Sequence, residues 1–184
     1  MDIYSAPKDT IRTNSGLFIN VFETDPDTII IEDVAHALAH MPRFGAHLDE
    51  FYSVAQHSVY CFNLAIMHGL EYGLAALLHD ASEAYILDMP TPIKRHLPDY
   101  QAVEHKLMMA IAKKFGFEFP LNPVIKEVDK EALDYEYKNM VNEDTKGLDP
   151  NFVIMTPKEA KAEFLAMFQL IQKYLAKQEV HEVD

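Results

Sequence analysis

Cysteine is nearly absent from this sequence, since Cys61 is the only one among its 184 residues. A single cysteine excludes a disulfide within the chain, and it excludes a metal site built from thiolates alone. We therefore expect that any metal bound by this chain has nitrogen and oxygen ligands.

The sequence also lacks a long apolar run. No stretch approaches the roughly 20 residues that are needed to cross a bilayer. The N-terminal segment MDIYSAPKDTIR does not have the basic and then apolar order of a signal peptide. We therefore expect a cytoplasmic protein that has no membrane partner.

Basic residues are few, because 16 Lys and Arg stand against 29 Asp and Glu and give a net charge of −13. The chain has no block rich in lysine or arginine, so its composition argues against binding to a nucleic-acid polymer. A small molecule that carries phosphate would need a cation or a local basic cluster in its binding site.

The residues that are present predict one helical domain. A chain of 21.0 kDa with 49% hydrophobic residues and only 6 glycines is long enough for one buried core, so we predict a single domain over residues 1–184. Helical periodicity and capping residues predict an all-α bundle of about six or seven helices. The predicted helices cover 32–40, 53–68, 71–85, 99–116 and 122–140, and a last one begins at Thr156. Two β-rich segments, 16–22 and 28–31, predict a small N-terminal hairpin.

The segment LLHDASEAYILDMPTPIK (77–94) sets ionisable residues among alanines and leucines. At about 100° per residue, His79, Asp80 and Glu83 share one arc of the predicted helix. An arc of this kind often faces water. Gly73 and the alanines that follow it would, however, let another helix approach closely, so the pattern favours a lined cleft.

His57 and Asp129 fall on the apolar faces of their predicted helices. A lone histidine on such a face is often a core residue, but an unpaired carboxylate in the interior is costly and is normally neutralised or paired with a cation. One divalent cation held by His57, His79, Asp80 and Asp129 explains all four positions. Two imidazoles and two carboxylates suit Mn, Fe, Co, Ni or Zn, with coordination positions left for water and substrate.

At these residues the sequence resembles the HD-domain phosphohydrolases, whose signature is a histidine, a His-Asp pair and a distant aspartate. The segment HDASEAYILDMPTPIK (79–94) is similar to the HD-x-x-E and D-x-P-T-P-x-K motifs of small 5'-deoxynucleotidases. RFGAH (43–47) and FYSVAQHS (51–58) resemble segments of small bacterial and viral HD proteins, which include dATP triphosphohydrolases. The resemblance covers residues 30–140 and implies the HD helical bundle and its metal site. It departs from the deoxynucleotidases at Leu87, where they have glycine, and in the lack of a tryptophan for the base pocket.

The resemblance implies a metal-dependent hydrolase of deoxynucleotides. Its product would be either phosphate from a deoxynucleoside monophosphate or tripolyphosphate from a triphosphate such as dATP. The cofactor, a single ion of Mn, Co, Fe, Ni, Zn or Mg, would polarise a phosphoryl oxygen and lower the pKa of a bound water. An alternative is a metal- and nucleotide-binding regulatory module that lacks turnover. The family commonly self-associates, which favours a homodimer or a larger homo-oligomer.

Residues beside the predicted centre receive catalytic and binding roles. Glu83 lies one helical turn after His79 and is the candidate to orient or deprotonate the water. Asp88 is a candidate general acid or sugar ligand, or else it caps a turn. Phosphate needs positive partners in so acidic a protein, and the residues predicted to bind it are Arg43, His47 and Lys94.

Overall fold

The computed structural model describes residues 6–181, with side chains described as far as residue 178, so the predicted domain of 1–184 extends beyond both ends. Within that range it has eight α-helices and one antiparallel sheet of two strands. The helices are α1 (Ile31–His40), α2 (Val54–Ala65), α3 (Gly73–Leu77), α4 (Glu83–Ile86), α5 (Thr91–Lys94), α6 (Pro98–Phe115), α7 (Pro123–Met140) and α8 (Pro157–His181). The strands are β1 (Thr10–Arg12) and β2 (Phe18–Asn20). The predicted fold class, all-α with a small N-terminal hairpin, is confirmed.

Capping residues set the ends of the helices that position the site. The Ser53 hydroxyl accepts a hydrogen bond from the Gln56 N–H at the start of α2. The Asn122 side chain accepts from the Val124 N–H at the start of α7, and Pro123 occupies the first helical position. These caps fix where α2 and α7 begin, and so which faces they turn toward each other.

The hairpin forms with a different partner strand from the one predicted. β2 lies within the predicted segment 16–22, but it pairs with Thr10–Arg12 through Ile11 and Ile19, not with 28–31. The Asp25 carboxylate caps a 3-10 turn over Pro26–Thr28, and α1 begins at Ile31. Ile29 is 1% exposed and packs in the core, so this segment leads into a helix and does not pair as a strand.

The predicted continuous helix over 71–85 is wrong. The chain instead forms a 3-10 turn at Leu70–Tyr72, α3, a further turn over 78–82, and then α4. Leu78 leaves the helical conformation at the C-terminus of α3, and the Ala81 and Glu83 N–H groups bond to the carbonyls three residues back. His79 and Asp80 therefore project from a turn, while the single-turn helix α5 lies within the proline-rich segment that follows α4.

α2 lies at the centre of the bundle and packs against α1, α3, α7 and α8. α3 approaches α2 closely because its first residue is Gly73. A Cβ atom at that position would lie 2.9 Å from Phe62 and 3.1 Å from Ile66. A smaller apolar cluster joins α2, α3 and α7, and its buried members are Cys61, Ala65, Ala75, Ala76, Ile125, Val128 and Ala132. This cluster packs the three helices together. Among the described residues, no helix combines the length and apolarity required to cross a bilayer.

Candidate metal centre

His57 is held by a buried carboxylate on another helix. It lies one turn into α2 with no exposed surface. Its Nδ1–H donates a hydrogen bond of 2.6 Å to Oε1 of Glu136 on α7. Since a carboxylate only accepts, the proton is on Nδ1, and Nε2 is directed into the site.

His79 and Asp80 come from the turn after α3. Nδ1–H of His79 donates to the Ala76 carbonyl oxygen at 2.7 Å, which fixes the ring against α3. Nε2 of His79 lies 3.1 Å from Oδ2 of Asp80. Both histidines therefore use Nδ1 for a hydrogen bond to the protein and keep Nε2 for the same space.

Asp129 reaches this space from α7. Its Oδ1 lies 3.1 Å from Nε2 of His57 and 3.7 Å from Nε2 of His79. Oδ2 of Asp80 lies 3.7 Å from Nε2 of His57. The four predicted ligands thus meet from three segments of the chain: α2, the 78–82 turn and α7.

The burial predicted for Asp129 is only partly correct. Its side chain is 44% exposed, and its neighbour Leu133 is 42% exposed. Asp129 lies at the edge of the α2–α7 contact, where its carboxylate reaches both the buried imidazoles and an open cavity. Its exposure is what makes the centre accessible from outside.

The imidazoles and the carboxylates of the site shift one another's pKa values. Burial raises the pKa of Asp80, but the charge of the His79 ring, whose Nε2 lies 3.1 Å away, lowers it more, so this pKa lies well below its ordinary value. Burial also raises the pKa of Asp129, and the close imidazoles of both histidines lower it overall. Burial lowers the pKa values of His57 and His79, yet neighbouring acidic groups raise them well above the ordinary value.

The donor atoms have the spacing of ligands to one ion. A metal about 2.1 Å from each donor separates neighbouring donors by about 3.0 Å in octahedral and about 3.4 Å in tetrahedral coordination. The observed separations between nitrogen and oxygen run from 3.1 to 3.7 Å. In addition, Nε2 of His79 is buried and makes no well-directed hydrogen bond to the described residues. The residues present therefore fit a divalent cation.

The structure adds a sulfur atom that the sequence reasoning excluded. Sγ of Cys61, one turn after His57 on α2, lies within 4.8 Å of ligand atoms on His57, His79 and Asp129. The expectation of purely nitrogen and oxygen donors is corrected to a group of His, Asp and Cys side chains able to hold a metal. The spacing of four residues between His57 and Cys61 was the available signal, because it puts both on one helix face.

A buried ionic network surrounds His57. Glu136 is fully buried and accepts hydrogen bonds from His57, from the Tyr52 hydroxyl at 3.1 Å and from Nε of Arg43 at 3.1 Å. Sequence reasoning missed Glu136 and Tyr52. Arg43, predicted to bind phosphate, uses its Nε and one terminal nitrogen to contact Glu136. Its other terminal nitrogen lies 3.8 Å from Asp80.

A cavity of about 330 Å³ opens beside the centre, and we call it the site cavity. It contains both metal-facing aspartates and four other predicted residues, Arg43, Glu83, Asp88 and Lys94. The remaining lining residues are Phe44, Gly45, Met89, Pro90, Thr91, Pro92 and Leu133. His47 is not among the described residues that line it. Of the three predicted phosphate ligands, the cavity therefore brings together Arg43 and Lys94 only.

Two carboxyl groups in the site cavity have raised pKa values. Burial, followed by the charges of Asp80 and Asp88, raises the pKa of Glu83 well above its ordinary value. Burial also raises the pKa of Asp88, against an opposing effect of Arg43. Lys94 pairs with Glu104 of α6, a partner that sequence reasoning missed. The cavity thus combines proton-binding carboxyl groups with a partly neutralised cation.

No protein-family model matches the chain. Over 130 residues it is 39% identical to the uncharacterized protein YfdR of Escherichia coli K12, and this region covers 71% of each chain. Over 128 residues it is 36% identical to an uncharacterized protein of Rhodobacter capsulatus, which covers 66% of this chain and 65% of that protein. By its likeness to YfdR over more than two thirds of both proteins, the chain belongs to the same family as Escherichia coli YfdR.

Proposed function

We propose that this chain is a divalent-metal-dependent phosphohydrolase of the HD-domain superfamily that acts on deoxynucleotides. The observation that carries the proposal is the convergence of two imidazole nitrogens and two carboxylate oxygens from three segments, with nitrogen–oxygen separations of 3.1 to 3.7 Å. The order of these residues along the chain is that of the HD signature. Glu83, Asp88 and Lys94 line the cavity onto which the two aspartates open.

The residues that would hold the cation are His57, His79, Asp80 and Asp129. Bound there, a divalent cation supplies a Lewis acid for a phosphoryl oxygen and a water of lowered pKa. The chain itself keeps the donors in position. Glu136 fixes the ring of His57, and the Ala76 carbonyl fixes the ring of His79, so both Nε2 atoms are directed at one point before any ligand binds.

Glu83 is the proposed proton acceptor. Its side chain lines the site cavity, its residue exposure is 6%, and its Oε2 atom has no hydrogen-bond partner among the described residues. A carboxylate whose pKa is raised by burial and by neighbouring negative charge is a stronger base than a solvated one. Glu83 is therefore suited to take a proton from the attacking water.

Asp88 and Lys94 are proposed to handle the leaving group and the phosphate. Asp88 lines the site cavity with Glu83, and burial raises its pKa toward the range in which a carboxyl can pass a proton to the leaving oxygen. Burial lowers the pKa of Lys94, but its hydrogen bond to Glu104 raises it overall, so the ammonium stays charged. It supplies positive charge at the cavity wall in a protein with a net charge of −13.

A second candidate function has one observation in its favour. Arg43 and Lys94 already pair with Glu136 and Glu104, so part of their charge is neutralised before a phosphate arrives. This arrangement also suits a metal- and nucleotide-binding regulatory module that does not turn over its ligand. Turnover separates the two candidates, because a regulatory module binds the nucleotide and leaves it intact.

The test is a product analysis with purified protein. The protein is incubated with Mn²⁺ or Co²⁺ and a panel of deoxynucleoside mono- and triphosphates, and orthophosphate and tripolyphosphate are measured separately. We expect one of the two products from at least one nucleotide. Asp129→Asn should lose the activity together with bound metal, whereas Glu83→Gln should lose the activity and keep the metal. Glu127→Gln, an exposed change on the same helix as Asp129, is the matched control and should leave both unchanged.

The outcome that overturns the proposal is a lack of turnover of the whole panel with every divalent ion tried. Nucleotide binding without turnover would then support the regulatory module. If activity persists in Asp129→Asn, it comes from a contaminating enzyme or from another site.

A further inference from the structure

Cys61 lies at the buried side of the metal centre. It has no exposed surface, and its Sγ lies 3.5 Å from Nε2 of His57. One ligand atom from each of Cys61, His57, His79 and Asp129 can be chosen so that all four lie within 4.8 Å of one another. Asp80 and Asp129 line the site cavity, whereas Cys61 does not line it and is buried in the apolar cluster of α2, α3 and α7.

A second observation points to the same space. Nε2 of His79 is buried without a well-directed hydrogen bond to the described residues, and the His79 side chain is 6% exposed. A metal about 2.3 Å from a thiolate sulfur and about 2.0 Å from an imidazole nitrogen, in five-coordinate geometry, separates those two atoms by about 3.0 to 3.7 Å. The separation of 3.5 Å between Sγ of Cys61 and Nε2 of His57 lies within this range.

We propose that Cys61 is a thiolate ligand of this centre and makes it selective for borderline transition metals such as Zn²⁺ or Co²⁺ over Mg²⁺ and Mn²⁺. The inference rests on the metal site of the proposed function, and it names the class of ion that the site takes. Ligation exchanges the thiol proton for the metal: the S–H bond breaks, the proton goes to solvent, and the sulfur lone pair binds the cation. Thiolates favour soft and borderline ions, whereas carboxylate and water suit Mg²⁺ and Mn²⁺.

The competing role for Cys61 is packing alone. Buried cysteines often act as small apolar side chains, and Cys61 contacts the cluster that joins α2, α3 and α7. A packing role requires no bond between sulfur and metal. The two roles therefore differ in a spectroscopic property that does not depend on catalysis.

The experiment uses the full chain loaded with Co²⁺ or Zn²⁺ alone, without nucleotide. Because Cys61 is the only cysteine, a sulfur-to-cobalt charge-transfer band in the near ultraviolet can come from no other thiolate in a monomeric complex. We expect this band in the Co²⁺ protein, and X-ray absorption of the Zn²⁺ protein should show a sulfur neighbour at about 2.3 Å. In Cys61→Ala the band should be lost. Affinity for Zn²⁺ should fall by about tenfold or more, the lower end of what loss of an outer-shell partner costs, and affinity for Mn²⁺ should change less.

Ser58→Ala is the matched control, because Ser58 is buried on the same helix and its hydroxyl donates to the Val54 carbonyl within that helix. It should keep the band. If Cys61→Ala does not fold, the absorption measurement on the unchanged chain decides. Visible d–d bands without a charge-transfer band or a sulfur neighbour would overturn the role of Cys61 and leave the proposed phosphohydrolase intact. Failure to bind Co²⁺ or Zn²⁺ at all would overturn the thiolate ligand and the metal site together.

Discussion

Glu136 holds the buried charges of the site together. Its Oε1 accepts from His57 and Tyr52, and its Oε2 pairs with Arg43. Burial raises the pKa of Glu136, but His57 and Arg43 lower it below its ordinary value, so the group is ionised at neutral pH. A carboxylate that orients a histidine in this way fixes the ring and raises its basicity as a ligand.

The first prediction concerns Glu136→Gln. We expect metal affinity to fall by about 10- to 100-fold, because His57 loses its orienting carboxylate. The free energy of unfolding should fall by about 3–5 kcal/mol, because the buried Arg43 loses its closest charged partner and keeps only Asp80 at 3.8 Å. Calorimetric titration with Zn²⁺ and urea unfolding measure the two effects.

The pH dependence of this stability loss has a defined sign. Because the pKa of Glu136 is lower in the folded protein, its stabilisation is complete above the pKa of the unfolded chain and is lost as the pH falls through the folded-state value. The difference in the free energy of unfolding between Glu136→Gln and the unchanged protein should therefore become smaller as the pH falls. The double variant with Arg43→Met should recover part of the loss. An unchanged unfolding free energy in Glu136→Gln would contradict the network.

At the scale of elements, most helices were predictable because their ends carry local signals. Ser53, Asn122 and the Thr156–Glu159 capping box each satisfy N–H groups at a helix start, and this depends on only a few neighbouring residues. The break over 78–82 carries no such signal, since its residues include good helix formers. It depends on tertiary burial of Leu78 and Ala81, both fully buried, which local periodicity does not reveal.

The residues of the site likewise divide into those that the sequence predicts and those that depend on tertiary contacts. His57, His79, Asp80 and Asp129 were predictable because their types and order already suit one cation. Glu136 and Cys61 were not predictable, because the role of a buried acid or thiol depends on which residues it contacts across the α2–α7 interface. Glu136 lies seven residues after Asp129, two turns along the same face of α7, which was the available clue.

The second prediction concerns the link between α4 and α5. Leu87 has φ 71° and ψ 156°, a conformation that strains side chains other than glycine by about 1–3 kcal/mol. Its side chain is 66% exposed, so little packing would be lost. After the entropy cost of glycine, about 0.5–1 kcal/mol, Leu87→Gly should raise stability by about 1 kcal/mol and the melting temperature by about 2–4 °C.

Thermal unfolding followed by circular dichroism measures this change. Leu148→Gly is the matched control, since Leu148 is 72% exposed in a loop and is not among the described residues with positive φ. It should lower stability or leave it unchanged. A lower melting temperature for Leu87→Gly would show that the leucine side chain contributes more than its backbone strain costs.

For the whole molecule, the centre joins parts of the chain that are far apart in sequence. A cation at this site would bridge α2, the 78–82 turn and α7, and the apolar cluster around Cys61 and Ala76 joins α2, α3 and α7 nearby. A net charge of −13 attracts cations to the molecule and repels free phosphate. Metal binding should therefore be coupled to the stability of the whole domain, and not only to that of the site.

The third prediction is that Zn²⁺ stabilises the whole molecule in a pH-dependent manner. At a free concentration of about 100 times its dissociation constant, a ligand that binds only the folded state adds about 2.7 kcal/mol, which corresponds to about 5–10 °C for a chain of this length. The pKa values of His57 and His79 are raised, so protons compete with the metal over a wide range, and the shift should shrink as the pH falls.

When the metal is removed by a chelator, the stability of the protein should fall as the pH rises. A histidine whose pKa is raised on folding stabilises the folded state fully below its unfolded-state pKa, and this contribution is lost as the pH rises through the folded-state value. The melting temperatures of the loaded and stripped proteins should therefore diverge as the pH rises, both because binding strengthens and because the stripped protein loses that contribution.

Asp129→Asn should remove most of the difference in melting temperature, since α7 would then offer no charged ligand. An equal Zn²⁺ shift in Asp129→Asn and the unchanged chain would mean that the stabilising ion binds elsewhere, such as at the paired rings of His36 and His40 on α1, whose centroids lie 4.2 Å apart.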